Sequence, residues 1–290
     1  MLAKTLLFVG AMLMHCAAIP AAHAQQRVSI GEIEAAQFCQ YFREYSDDSA
    51  LLASPSMIAA VRSFRSWIVK DCVSEFPTLR QQVEAMLASS PVVGVGGHGW
   101  TIDIALTALV DGGVAMAPDP GQNGYAISSS SSEVTLSFIV RDRSGASIGG
   151  RSMNVPIETG HDIRAGSVRS TGAVAPETAY NRMHREIARR IARDVSFLVE
   201  PLEVVSVDDD LVALNYGSPL LETGDQLRIA SAGDLATMAF RVANASSNRA
   251  IAEMDGDYDS RLVEVGAAVS VAEGGSQESQ ARRYRRKRLP

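Results

Sequence analysis

Trp100-Thr101-Ile102-Asp103-Ile104-Ala105-Leu106-Thr107-Ala108 decides how the middle of the chain folds. Ile102, Ile104, Leu106 and Ala108 alternate with Thr101, Asp103, Ala105 and Thr107, the period of a strand with one buried face. The same period returns in Val134, Leu136, Phe138 and Val140. A third strand is expected from Ile148 to Ile157, with Ser144-Gly145 as the turn between them. Gly112 to Gly124, with Pro118 and Pro120, reads as a loop, and so does Thr159 to Pro176. After the second loop a helix is expected from Glu177 to about Leu198, because Met183, Ile187, Ile191 and Val195 form one apolar stripe. Arg182, Arg185, Arg189 and Arg193 make a basic row beside that stripe. The row is either a solvated helix face or a docking face for an acidic partner or anionic headgroups.

Upstream of Trp100 the pattern is helical over residues 30–90. Phe38, Tyr41, Phe42 and Tyr45 recur at helical spacing, as do Met57, Val61, Phe64 and Ile68. Ser54-Pro55 is an N-cap with proline at the first helical position. Leu79, Val83, Met86 and Leu87 mark a further helix after Pro77, and Pro91 closes the segment.

At the start, Lys4, the apolar stretch Thr5 to Met14 and Ala22-His23-Ala24 have the form of a secretory leader with an A-x-A cleavage site. The stretch is too short for a membrane span, which takes about 20 residues, and no later run is long enough for a span in the mature chain. Cys16 lacks the small preceding residue of a lipobox, since His15 stands there. The compact, Ala-rich leader points to a bacterial periplasm. Beyond it remain Cys39 and Cys72, each bordering an apolar helical face. In an oxidising compartment the pair reads as one disulfide, stabilising by about 3–4 kcal/mol.

Beyond Pro201 the pattern is all-β. Val204 to Val207 and Leu211 to Leu214 flank Asp208-Asp209-Asp210 as a hairpin. Leu220-Leu221-Glu222-Thr223-Gly224-Asp225-Gln226-Leu227-Arg228-Ile229 is echoed by Leu262-Val263-Glu264-Val265-Gly266-Ala267-Ala268-Val269-Ser270-Val271. Each copy has a hydrophobic pair, a Gly-centred turn and an alternating strand, as in a small barrel or sandwich of five to seven strands.

The string Val204 to Asp208, Leu211 to Gly217 and Leu221 to Leu227 is similar to the C-terminal β module of the flagellar assembly protein FlgT. The strands before it and the Ala/Arg-rich helix ending at Pro201 resemble the α/β domain of the curli-secretion protein CsgG and its periplasmic relatives. The resemblance runs over roughly residues 98–272. It implies a role in an envelope-spanning or flagellar assembly.

Composition sets the outer bounds. The chain has 290 residues, 46% hydrophobic and 21% charged, which suits globular domains and argues against disorder or a polytopic membrane protein. Its net charge is −6, which gives no general reason to expect nucleic-acid binding. Catalytic signatures are missing: there is no G-x-S-x-G, H-E-x-x-H or Walker loop, and Gly94-Val95-Gly96-Gly97 precedes a strand rather than a helix. His98, His161 and His184 are not arranged as a ligand set. Asp255, Asp257 and Asp259, spaced two apart around Gly256, resemble part of a calcium loop, but the Gly is misplaced for an EF-hand and no Glu stands at the twelfth position. No cofactor or metal is expected.

The tail carries Arg282, Arg283, Arg285, Arg286, Lys287 and Arg288 behind a Gly/Ser/Glu-rich stretch. Without these six charges and Lys4, the −6 of the whole chain becomes −13 for residues 25–280. The tail is either a solubilising end or an electrostatic tether to an anionic surface.

The expected fold class is therefore α+β: a helical N-terminal segment, a sheet plus a long amphipathic helix, then a small all-β barrel or sandwich module. The divisions are a signal peptide (1–24), a helical segment with one disulfide (25–92), a CsgG-like α/β domain (93–200), the β module (201–272) and a disordered basic tail (273–290). The expected function is a non-enzymatic periplasmic assembly or scaffold factor, with or without outer-membrane association. Its partners would be envelope proteins or an anionic envelope surface, an oligomer being open. The alternative is a periplasmic hydrolase or small-ligand-binding protein using the loops at 111–124 and 158–176.

Overall fold

A computed structural model describes residues 25–35, 76–117, 125–165, 168–173, 176–230, 237–256 and 262–272. Within them the fold is mixed α+β, with two six-stranded sheets and two helices. The first sheet contains β1 (Gln26–Glu34), β2 (Val93–Val95), β3 (Trp100–Ala117), β4 (Tyr125–Arg141), β5 (Ser147–Ala165) and β6 (Val168–Ala173), in the order β2-β1-β3-β4-β5-β6. β1 is parallel to both its neighbours, and the remaining pairs are antiparallel.

The alternation around Trp100 does its expected job. Ile102, Ile104 and Leu106 are buried with Val134, Leu136, Phe138 and Val140 of β4 and with Met153 and Val155 of β5. Helix α1 (Pro77–Ala88) adds Leu79, Val83 and Leu87 to this core. Helix α2 (Pro176–Val199) adds Met183, Ile187, Ile191 and Val195. The opposite sheet face is polar, with Asp103 and Arg141 paired across β3 and β4 at 3.0 Å.

Three expectations need correction. The first is the helical reading of residues 30–90, because Gln26–Glu34 is a strand inside the first sheet. Its period of two is broken by a register shift between Ile30 and Ile33. Arg80 of α1 caps the carbonyls exposed there, donating to Ile30 O and Gly31 O at 2.8 Å each. The Ser54-Pro55 cap and the Cys39–Cys72 pair lie outside the described residues.

The second and third concern the two loops. β3 runs on to Ala117 and β4 starts at Tyr125, while β5 continues to Ala165 and turns back as β6. Gly and Ser suggested loops, but each segment lies beside a paired neighbour, and tertiary pairing overrides a weak intrinsic preference. A register shift between Asp111 and Val114 takes up Gly112 and Gly113.

These long strands outrun the helix layer. β6 ends at Ala173 opposite Gly160, and α2 begins at Pro176. The helix then runs back along β5: Arg190 donates to Asn154 O at 2.8 Å, and Asp194 accepts from Arg151 Nε at 2.5 Å. The pairings of Val114–Ala117, Tyr125–Ser130 and Gly160–Ala165 therefore form a ribbon beyond the helix start.

The second sheet contains β7 (Val204–Asp208), β8 (Leu211–Leu214), β9 (Gln226–Ala230), β10 (Thr237–Ala245), β11 (Ala250–Met254) and β12 (Val269–Ala272), in the order β12-β9-β10-β11-β8-β7. It curls until its ends meet: Val204 N–H donates to Ala267 O (3.1 Å), Gly266 N–H to Val204 O (2.8 Å) and Val269 N–H to Leu202 O (2.9 Å). The two echoed segments pair with each other, Leu227 opposite Val271 and Ile229 opposite Val269.

Their turn glycines have φ of 98° at Gly224 and 87° at Gly266. No heavy atom stands within 4 Å of the place a Cβ would take on Gly266, so only backbone strain opposes a side chain there. Gly224→Val and Gly266→Val are each expected to cost about 1–2 kcal/mol, read as a lower urea midpoint. Unmoved midpoints in both would contradict the turn geometry.

Candidate functional site

The arginine row of α2 does not form a single face. Arg182 and Arg185 are exposed, whereas Arg189 and Arg193 are only 6% and 2% exposed. This corrects the docking-face reading for the second pair. An amphipathic pattern assumes one partner layer, but the C-terminal half of α2 has two, the first sheet and the β module.

Arg189 joins them. Its Nε and Nη2 donate to the Glu186 carboxylate at 2.9 and 2.8 Å, and its Nη1 donates to Asp225 Oδ2 at 2.9 Å. Glu186 also accepts from Arg190 Nε at 2.7 Å. Gly224 supplies the turn that places Asp225, whose Oδ2 accepts from Glu222 N–H at 3.0 Å as well. Burial disfavours the Arg189 charge, but the Glu186 hydrogen bond and the Asp225 and Glu186 carboxylates outweigh it and hold the guanidinium above its ordinary pKa. Burial likewise opposes the Glu186 carboxylate, and its Arg189 and Arg190 contacts reverse the balance, so its pKa is lowered.

A second fastening closes the helix end. The Tyr216 hydroxyl lies 2.8 Å from Glu200 O and 3.2 Å from Ser196 O, carbonyls of or beside the last helical turn. Asn215 accepts from Glu203 N–H at 2.9 Å and donates to Pro201 O at 2.8 Å, so one side chain pins the connection between helix and β7. Phe197 packs against Tyr216 with ring centroids 5.1 Å apart. Gly217 is needed because a Cβ would run into the Ser246 carbonyl and the Arg249 N–H. Of the residues that suggested a β module, Asp225 and Tyr216 fasten it to α2 and Asn215 to the connection that follows, while Gly217 and Gly224 shape turns within it.

Beside this junction is an open groove of about 370 Å³. From α2 it is lined by Arg193, Asp194, Phe197 and Leu198, from β4 and β5 by Phe138, Gly150 and Arg151, and from β12 by Val269 to Val271. Arg151 of β5 and Asp194 of α2 pair within it.

His184 is fully buried, 4.2 Å from the Tyr180 ring centroid and 6.1 Å from that of Phe76. Burial pushes its pKa down to about 3, so it is neutral at physiological pH and sealed from solvent. Among the described residues no three His, Cys, Asp or Glu converge as a metal site. Asp255 pairs with Arg241 at 2.7 Å. No described helix is long and apolar enough to cross a membrane. Residues 1–24, expected to be a leader, Cys39, Cys72 and the tail residues Arg282, Arg283, Arg285, Arg286, Lys287 and Arg288 lie outside the described residues.

No family model and no curated protein matches the chain. Among solved structures it is similar to a minor lipoprotein from Acinetobacter baumannii, at 11% identity and a TM-score of 0.28, over 59% of this chain and 92% of that one. It is also similar to a hemagglutinin homolog from Helicobacter pylori, at 10% identity and a TM-score of 0.29, over 59% of this chain and 86% of that one. At such scores neither likeness bears on function.

Proposed function

We propose that the chain is an exported, non-enzymatic assembly or scaffold factor of the bacterial cell envelope. In this reading a CsgG-like α/β unit carries a FlgT-type β module, and the protein works in the periplasm by association. The ribbon of β3 to β6 is the observation that carries it. A sheet gains stability by burying a face against a second layer, and this ribbon lies past the start of the helix that covers the rest. β1 ends at Glu34 opposite Ala105, so the outer edge of β3 has no described strand partner from there on. Such an edge suits strand addition by another polypeptide. Arg182 and Arg185, with the basic tail, are proposed as auxiliary contacts to acidic envelope components, weakening as salt rises.

The test is a shortened protein in which residues 111–132 become a two-residue Asn-Gly turn and residues 160–173 a short Gly/Ser link. The helix-covered core is untouched, so cooperative thermal unfolding is expected to persist. Co-sedimentation with isolated envelopes is expected to fall to background. Co-sedimentation equal to that of the intact protein would overturn the association reading.

A further inference from the structure

We infer that the β3–β6 ribbon lies in the interface of an anionic lipid bilayer, with its apolar face toward the hydrocarbon and its Arg164–Arg169 row level with the phosphates. The inference rests on the association reading above and names a lipid surface as what the ribbon meets.

The apolar side changes along β4. Each extra residue at a register shift belongs to β3 or β5, so the alternation of β4 is unbroken. Val134, Leu136, Phe138 and Val140 occupy the side buried under the helices. Continued into the ribbon, that side holds Ser128 and Ala126, whereas the opposite side, with Thr135 and Ser137, comes to hold Ile127 and Tyr125. Pairing places Ile163 in the row of Ile127, and Ala165 and Val168 in the row of Tyr125. Ser129 and His161 share this face only in the row nearest the body. The apolar face of the ribbon is thus on the side away from the helix layer and does not extend that core.

The other face carries charge. Arg164 and Arg169 stand directly opposite each other across β5 and β6, one row before the Ala165–Val168 pair. Like charges so placed destabilise a strand pair, and an anion between them reverses the sign. Asp162 shares the face two residues earlier, one carboxylate against two guanidinium groups. A bilayer surface meets both faces at once, with hydrocarbon under the aliphatic side and phosphate at the level of the arginines. A protein partner would need two separate surfaces to do the same. From Gly160 to Arg164 the strand advances about 13 Å, more than a Debye length of about 8 Å, so the acidic remainder of the chain does not cancel the attraction. Tyr125 to Ser130 is shorter than the roughly 9–11 residues of a spanning strand, so the ribbon lies on the bilayer and does not cross it.

The test is flotation of the intact exported protein with protein-free vesicles of phosphatidylcholine containing about one-third phosphatidylglycerol. Binding is expected. Ile127→Ser combined with Ile163→Ser should weaken it about tenfold or more, because apolar area is lost from the interface. Arg164→Gln combined with Arg169→Gln should also weaken it about tenfold or more on these vesicles. The arginine variant should not lower the thermal midpoint, since it removes a like-charge pair. If the isoleucine variant fails to fold, the arginine variant decides. The basic tail is present in every variant, so binding that survives both pairs of substitutions belongs to the tail and overturns the inference. Absence of flotation, with co-sedimentation on isolated envelopes retained, overturns it as well and assigns the ribbon to a protein partner. Release of a dye trapped in the vesicles would overturn the interfacial placement by showing a pore.

Discussion

Acidification from pH 7 to pH 4 is expected to remove about 3 kcal/mol of folding stability through His184 alone. The imidazole is enclosed by Tyr180 and Phe76, and burial holds its pKa at about 3. In the unfolded chain it titrates near about 6.5. Below that pH the unfolded state takes up a proton that the folded state refuses. Stability therefore falls as pH drops from about 6.5 toward 3, at up to about 1.4 kcal/mol per pH unit. Glu186 acts in a different window. Its folded pKa is depressed, so its contribution is intact above the ordinary carboxylate range and is lost only at more acidic pH. Urea unfolding of the native protein and of His184→Phe between pH 6 and pH 4.5 separates the two groups. The native protein should lose stability steeply over that range and the variant should not. Parallel slopes would mean that His184 is not held neutral by burial.

Arg189→Met is expected to destabilise by about 3–4 kcal/mol, since removing one partner of a buried ion pair leaves the other charge uncompensated. Asp225 would lose its guanidinium contact, whereas Glu186 would keep Arg190. Arg189→Met combined with Asp225→Leu should recover part of the loss, because two apolar groups are tolerated where one stranded carboxylate is not. The single variant should also unfold in two steps, the β module separating from the first sheet when its clasp is broken. Arg182→Gln and Arg185→Gln serve as references and should change stability by no more than about 0.5 kcal/mol. Equal effects of the Arg182, Arg185 and Arg189 variants would remove the distinction between the two halves of the row.

Elements with strong periodicity are legible in the amino-acid order itself. The alternation in Trp100 to Ala108, the stripe of Met183 to Val195 and the echo of Leu227 to Ile229 in Val269 to Val271 each depend on local order, and each appears as a buried face or a paired strand. Features set by distant segments are not legible in this way. Nothing near Arg189 reveals that Asp225 will face it, and Asn215 reads as turn chemistry until Pro201 and Glu203 are beside it. The Ser128 to Ser132 run is weak strand sequence on its own, and its pairing with β3 and β5 comes from neighbours far along the chain. β1 is hidden because its alternation breaks at Ile30 to Ile33, where a guanidinium from another element completes the backbone hydrogen bonding.

The position of β1 governs when this protein can fold. Gln26–Glu34 lies inside the first sheet, between β2 and β3, and both neighbours follow it by a long stretch of chain. A polypeptide emerging from its N-terminus therefore carries this strand without a mate until Val93–Val95 have appeared, and without its second neighbour until residues through Ala105 have. Loop closure of that length must precede any reward from pairing, and rates fall steeply when native contacts are so remote. The first sheet cannot grow outward from its earliest strand; it has to wait for the later ones and admit β1 between them.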